Sequence, residues 1–280
     1  MPGGRSPPGE RRGDRSAPPG GLGAGGGAVT RDLGHRLRDG LGATPFCPGC
    51  GHGILLGAVA RALDLAGVPE DRLLVVSGIG CAAWIPSPHL RADTLHTLHG
   101  RALAFATGAK MYNPELVTLV VSGDGDLASI GGNHLIHAAR RDLDVTVVCA
   151  NNAIYGMTGG QVAATTPAGA RTATTPAGNP HRPFDLCRLV AAAGASYVAR
   201  YAVVQPDRLA RAIARGIGTP GFAFVEAVSP CPTQYGRRND EADPAEALRR
   251  LRDRIVPREE AEALGPEAPA DRIVVGEFVE

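Results

Sequence analysis

Two groups of residues in this 280-residue sequence have the types and spacing to do chemistry. The first is Ser122-Gly123-Asp124-Gly125-Asp126, followed, with 25 residues between Gly125 and Asn151, by Asn151-Asn152-Ala153-Ile154-Tyr155-Gly156, each directly after an apolar, β-rich run. A carboxylate, an amide oxygen and a backbone carbonyl are hard donors that suit Mg²⁺, which takes few protein ligands and completes its shell with water and phosphate oxygens. Glycines beside Asp124 let backbone N–H groups approach a diphosphate, and a helix expected from near Ser129 adds its positive end. Gly-Asp-Gly alone is an ordinary turn. Its pairing with Asn-Asn, each at a strand end, makes the signal specific.

The second group is the cysteines. Cys47-Pro48-Gly49-Cys50 places two thiols two residues apart. His52 stands one residue too late for a c-type haem attachment, and no strand precedes the motif as a thioredoxin-like dithiol requires. Cys81 and Cys231 each fall just past an expected strand end, so four thiolates converge at one edge, which suits a 4Fe–4S cluster or a structural zinc. Cys149 and Cys187 lie inside apolar strand and helix patterns and read as buried free thiols. His96 and His99 precede a helix start beside the expected diphosphate, whereas His134 and His137 read as packing or surface residues.

These groups need a scaffold that brings strand ends together. Apolar runs at Leu73–Val76, Leu116–Val121, Val145–Cys149, Ser196–Arg200 and Phe222–Val228 read as strands. Helical periods fall between them, over Ile54–Leu65, Arg101–Met111, Ile130–Arg140, Leu186–Ala193 and Asp207–Ile217. Strands alternating with helices give an α/β fold: an open, mainly parallel sheet covered by helices on both faces, with ligands beyond the carboxyl ends of its strands. Asp124 and Asn152, one helix and one strand apart, then face one small site. Three segments follow: a tail over 1–28, an α/β module over 29–228 with the Cys motif near its start, and a C-terminal extension over 229–280. The extension carries the fourth cysteine, a charged helix over Pro244–Ile255 and the apolar run Ile273–Val275, and packs on the module or on a partner.

Composition excludes several classes. Twenty-nine basic against 28 acidic residues give a net charge of +1, evidence against nucleic acid as the main partner. No apolar run approaches the ~18–20 residues of a membrane span. Residues 1–28 hold ten glycines and five prolines, too little apolar surface to offset the entropy of ordering, so a disordered tail is expected. Six cysteines are too sparse for a disulfide scaffold, and the start lacks a secretory h-region, so a cytoplasmic, reducing setting is expected.

Cys-Pro-Gly-Cys-Gly-His, Ser-Gly-Ile-Gly-Cys, Thr-Leu-His-Gly-Arg, Gly-Asp-Gly-Asp with Gly-Gly-Asn-His, Asn-Asn with Ile-Tyr-Gly-Met-Thr-Gly-Gly-Gln, and Cys-Pro-Thr-Gln-Tyr-Gly-Arg-Arg-Asn occur in this order. Together they resemble the β subunit of the 2-oxoacid:ferredoxin oxidoreductases, most of all the 2-oxoglutarate type, over about residues 45–280. The resemblance implies oxidative decarboxylation of a 2-oxoacid with CoA to acyl-CoA and CO₂, electrons passing through a 4Fe–4S cluster to ferredoxin. Cys47, Cys50, Cys81 and Cys231 would hold the cluster. Asp124, Asn152 and the Ile154 carbonyl would hold Mg²⁺ on thiamine diphosphate. Ile79, Gly80, Cys81, Ala82, His99, Gly125, Asp126, Gly156, Met157, Thr158, Gly159, Gly160 and Gln161 would line the cofactor, with His99 and Arg101 as catalytic residues. One module also implies an α subunit that supplies the other half of the cofactor site, in a heterodimer or heterotetramer. Two departures bear on substrate choice: Ala82-Ala83-Trp84 stands where many relatives carry a basic residue, and Val162-Ala163-Ala164-Thr165 where aromatic, Ser and Pro residues are usual. The alternatives are a non-redox thiamine-diphosphate decarboxylase or ligase whose cysteines hold zinc, and a non-catalytic zinc-bound assembly subunit.

Overall fold

The computed structural model describes residues 33–264 and 271–280; the tail expected over 1–28 lies outside them. Helix α1 (His52–Leu65) leads to strands β1 (Leu73–Ser77) and β2 (Asp93–His96), then α2 (Ala102–Tyr112), β3 (Val117–Gly123), α3 (Gly132–Arg140) and β4 (Val145–Asn151). After a long connection come α4 (Leu186–Ala192), β5 (Tyr197–Ala202), α5 (Pro206–Gly218) and β6 (Phe222–Val228). The chain ends with α6 (Pro244–Asp253), β7 (Ile255–Pro257), α7 (Arg258–Leu264) and β8 (Ile273–Val279).

The strands form one sheet in the order β2-β1-β3-β4-β6-β5-β8-β7. Every pair is parallel except β5 with β8. The central strands are almost continuously apolar because both their faces are covered. Helices α1 and α5 bury Leu55, Val59, Leu63, Leu209 and Ile213 on one face. On the other, α2, α3 and α4 bury Leu103, Leu135, Leu186 and Val190. In α5 the polar positions Arg208, Arg211 and Arg215 stay outside while Leu209, Ala210 and Ile213 go in, the 3.6-residue period that marks the helix in the sequence.

The chain runs from β1 outward to β2 and then returns past β1 to β3, so the direction of winding reverses between β1 and β3. Their carboxyl ends therefore flank a crevice, where this class of sheet binds ligands. Three features differ from the sequence reading. Strand β2, Asp-Thr-Leu-His, is a short and half-exposed edge strand with too little apolar pattern to signal itself. The turn expected to become helical near Ser129 is already wound from Gly125, as a π-helical segment to Ile130 with Gly131 N–H donating to the Asp126 carbonyl (3.0 Å). The final apolar run, expected only to pack on the module or on a partner, is a full strand, β8, that joins the sheet antiparallel to β5. Leu33–Glu280 forms one compact unit. Asp243 caps α6 by accepting from Glu246 N–H (2.7 Å), with Pro244 at the first helical position, and the helix buries Ala247 and Leu251. No helix of the described residues is long and apolar enough to cross a membrane.

Candidate active site at the carboxyl edge of the sheet

A cavity opens at the crevice between β1 and β3. Its walls come from four strand ends: Ile79, Gly80, Cys81 and Ala82 after β1, His99 after β2, Gly123 to Asp126 at β3, and Ala150, Asn152 and Ile154 to Thr158 at β4. The two halves of the sequence signature thus meet. Asp124 is 2% exposed, and its Oδ1 accepts from Asn152 N–H at 3.4 Å while Thr165 Oγ donates to Oδ2. The Asn152 side chain turns back to accept from Ile154 N–H (3.3 Å), and the intervening Ala153 takes a left-handed φ of 60°. Asn151 Oδ1 accepts from Ala153 N–H (3.0 Å), which helps hold this strained turn.

Among the described residues Asp124 has no basic partner. Burial raises its pKa from the ordinary 3.8 to about 6, against the lowering effect of the Thr165 hydroxyl and nearby backbone N–H groups. A buried carboxylate in this state is poised for a cation. Among the described residues no three His, Cys, Asp or Glu side chains are gathered as ligands of one ion. One carboxylate with the Asn152 amide and the Ile154 carbonyl is nonetheless a set that Mg²⁺ accepts when phosphate and water complete its shell. The donors present fit a magnesium-bound diphosphate.

Asp126 lines the cavity and also ties its loops together. Its Oδ1 accepts from Ile79 N–H (3.1 Å), Gly100 N–H (2.7 Å) and His99 Nδ1 (2.5 Å), and its Oδ2 from Ser122 Oγ (2.8 Å). One buried carboxylate thereby ties the loops after β1 and β2 to the end of β3. With Nδ1 so engaged, His99 stands edge-on to the Tyr155 ring (5.7 Å between centroids), and Tyr155 Oη donates to the Gly125 carbonyl (2.9 Å).

The cysteines divide as expected from their places in the chain. Cys149 and Cys187 are fully buried, and burial pushes both thiols well up. The other four share one neighbourhood. Burial, then the nearby Cys231, Cys47 and Cys50, raise the Cys81 thiol to about 11. Cys50 is raised by burial and then by Cys47 and Cys231. Gly156 shows how tightly this group abuts the cavity: a Cβ there would lie 3.6 Å from the Cys231 sulfur and 3.7 Å from that of Cys81. These four thiols match a metal cluster in donor type and number, although among the described residues they are not drawn together into a ligand set.

Several expected site residues fall elsewhere. Gly159, Gly160 and Gln161 lie outside the cavity lining and build its outer loop, where Gly160 N–H donates to the Tyr155 carbonyl (2.9 Å) and Gln161 Nε2 to the Thr158 carbonyl (2.8 Å). Arg101 is exposed at the start of α2, its guanidinium donating to the Gly100 carbonyl (3.1 Å), and is not brought to the cavity with His99. His96 is exposed and packs edge-on with Trp84. Three contributors stand outside the expected set: Tyr155, buried His52 in the cavity wall, and Thr165, whose hydroxyl reaches Asp124. His52 and Tyr155 sit inside motifs already conspicuous in the sequence; Thr165 has no local signal.

Comparison with known proteins agrees with this arrangement. Residues 78–227 match the family described as thiamine pyrophosphate enzyme, C-terminal TPP binding domain. The 2-oxoglutarate synthase subunit KorB of Methanothermobacter marburgensis is 48% identical over 84% of this chain and 82% of its own length. The 2-oxoglutarate oxidoreductase subunit KorB of Mycobacterium tuberculosis is 39% identical over 67% of this chain and 50% of its own. Among solved structures, the 2-oxoglutarate:ferredoxin oxidoreductase of Magnetococcus marinus, with 2-oxoglutarate, coenzyme A and succinyl-CoA bound, superposes with a TM-score of 0.78. It is 32% identical, and the match covers 90% of this chain and 85% of that one.

Proposed function

The chain belongs to the β subunits of the 2-oxoacid:ferredoxin oxidoreductases, and on that premise we propose how its residues divide the work. It is the subunit of a 2-oxoglutarate-type enzyme that holds the diphosphate half of thiamine diphosphate. Asp124, Asn152 and the Ile154 carbonyl hold Mg²⁺, and Gly125, Gly156, Met157 and Thr158 border the diphosphate. Cys47, Cys50, Cys81 and Cys231 hold a 4Fe–4S cluster. An α subunit completes the site, CoA takes the acyl group and ferredoxin takes the electrons. The observation that carries this reading is the approach of Gly156, in the diphosphate loop, to the Cys81 and Cys231 sulfurs. A redox group held there adjoins the cofactor cavity without an intervening layer of protein.

Thiamine diphosphate, when bound, supplies the electron sink that lets a 2-oxoacid lose CO₂, and an iron–sulfur cluster accepts electrons singly. The chain supplies orientation. Buried Asp124 gives the diphosphate cation a dry, fixed anchor, stronger in low dielectric than on the surface. Asp126 fixes the tautomer of His99 through Nδ1, leaving Nε2 as the nitrogen able to exchange a proton with a reacting group. Tyr155 keeps that ring upright.

Anaerobic co-purification with the α subunit tests the proposal. A brown complex, bleached by dithionite, that reduces a viologen dye with 2-oxoglutarate and CoA is expected, with pyruvate a poorer substrate. A colourless, zinc-containing complex inert to dithionite overturns the redox reading and favours zinc at the same thiols.

A further inference from the structure

Away from the cofactor cavity, one acidic side chain is sunk into the sheet. Glu226 lies inside β6 and is 2% exposed. Strand alternation sends it to the same face as Phe222 and Phe224, in the core that α4 covers. Its neighbours across the sheet are Cys149 of β4 and Arg200 of β5. Arg200 Nε donates to Glu226 Oε2 at 2.7 Å, and Cys187 Sγ of α4 donates to the same oxygen at 3.2 Å. Arg200 is itself tied down, donating to Asp185 at the start of α4 (2.5 Å) and to the Val274 carbonyl of β8 (3.3 Å), with its guanidinium over the Phe278 ring.

The other oxygen, Oε1, serves the metal turn. Among the described residues its donor is Asn151 Nδ2, at 2.6 Å, a short bond to a charged acceptor and so one of the strong kind. A carboxylate only accepts, so the Asn151 amide must present its NH₂ to Glu226 and its Oδ1 the other way. That oxygen accepts from Ala153 N–H (3.0 Å) inside the turn whose φ of 60° Ala153 would not adopt unaided. Asn152 and Ile154 flank Ala153, so this turn decides where their oxygens stand.

Stability does not call for the arrangement. A buried ion pair is often replaced by apolar groups of like volume without loss. The same face is otherwise filled by Leu186, Val198, Phe222 and Phe224. What the carboxylate alone supplies is an orientation for Asn151.

We infer that Glu226 is a positioning residue for the metal turn: held by Arg200, it fixes the Asn151 amide, and Asn151 fixes the turn that carries the Asn152 and Ile154 oxygens. The inference rests on the function proposed above. Mg²⁺ tolerates little error in ligand placement, whereas Ca²⁺ accepts longer and more flexible ligand sets. A role in placing ligands therefore shows in the choice of ion as well as in affinity. Glu226→Gln is the direct probe. Its single oxygen is claimed by the Arg200 guanidinium, which only donates; the Gln NH₂ then faces Asn151 and turns that amide over, setting NH₂ against Ala153 N–H.

The test uses the complete α/β complex, freed of thiamine diphosphate and then titrated calorimetrically with Mg²⁺, and separately with Ca²⁺, at saturating thiamine diphosphate. Wild type is compared with Glu226→Gln, Asn151→Ala and the double variant. Mg²⁺ affinity is expected to fall about tenfold in each single variant, the scale of losing a partner that orients a metal ligand. In the double variant it should fall no further, because both changes break one chain of contacts. Ca²⁺ affinity should fall by less. Wild-type Mg²⁺ affinity in Glu226→Gln, multiplied losses in the double variant, or equal losses for the two ions each overturn the inference. Should Glu226→Gln not assemble, Asn151→Ala decides, since unchanged Mg²⁺ affinity there breaks the step that links Glu226 to the turn. A wild-type complex that binds thiamine diphosphate with neither ion overturns the underlying function instead.

Discussion

Replacing Asp124 by Asn should stabilise the cofactor-free protein while destroying its ability to hold the cofactor. Asp124 is fully buried without a cationic partner among the described residues, and its pKa stands at about 6 against 3.8 when exposed. Between those values the folded chain binds more protons than the unfolded one, so stability falls as pH rises. The stability is fully present below 3.8 and is lost through about 6, and the difference amounts to about 3 kcal/mol. Asn carries no such loss: its carbonyl oxygen can accept from Asn152 N–H, and its amide can donate to Thr165 Oγ after that hydroxyl turns. For a chain of this size ~3 kcal/mol corresponds to roughly 6–12 °C in Tm. Thermal unfolding of chelator-treated protein should therefore show Asp124→Asn more stable than wild type by about this margin near pH 8, with the gap closing below about pH 4. Adding Mg²⁺ and thiamine diphosphate should nearly close the gap at about 100 times Kd, where the ligand adds about 2.7 kcal/mol to the wild type alone, and reverse the order at about 1,000 times Kd, where it adds about 4.1 kcal/mol. A variant no more stable than wild type near pH 8, or a gap that does not change with pH, would refute the picture of a carboxylate kept unpaired for a cation.

Other outcomes follow from the same geometry. Asp126→Asn keeps an acceptor for three donors but loses the charge, and with bonds to ionised groups worth about 1 kcal/mol more than neutral ones it should cost about 2–4 kcal/mol in denaturant unfolding. Asp126→Ala, which strands all four donors, should cost more. Gly156→Val places a branched side chain between the Cys81 and Cys231 sulfurs, so iron per polypeptide should fall sharply while unfolding of the apo-protein shifts by less than about 1 kcal/mol. Maleimide labelling of the native apo-protein should modify exposed Cys47 first and leave Cys149 and Cys187 unlabelled until the protein unfolds, because burial raises both thiols and blocks access.

The central sheet and the meeting of Asp124 with Asn152 were legible because the strands they end are apolar on both faces. That pattern places any polar residue just after the run at the sheet edge. Thr165 was not legible. It lies in a polar segment without period, and its approach to Asp124 depends on a chain reversal that Thr166 holds through the Ala153 carbonyl (2.6 Å) and Asn179 through the Thr166 carbonyl (2.8 Å). Asp126 was legible as a residue of the cavity, but its hydrogen bonds to the neighbouring loops were not, since adjacency to Asp124 says nothing about direction. The π-helical winding that begins at Gly125 points its carboxylate under the loops after β1 and β2. Arg101, a motif neighbour of His99, stands at the N-cap position of α2 without a side-chain capping bond and turns outward, a direction that the motif alone does not give.

The loop after β1 bears on how the enzyme is put together. Its Ile79 hangs from Asp126, its Gly80 and Ala82 border the cofactor cavity, and its Cys81 is one of the four neighbouring thiols. Anything that orders this loop from one side orders it for the other. With the proposed cluster on these thiols, loading of iron and sulfide and uptake of thiamine diphosphate would become linked equilibria, each raising the affinity for the other by the same factor. A subunit that fails to acquire its cluster should therefore also hold its organic cofactor loosely, and maturation becomes a cooperative event in which neither group is retained well alone.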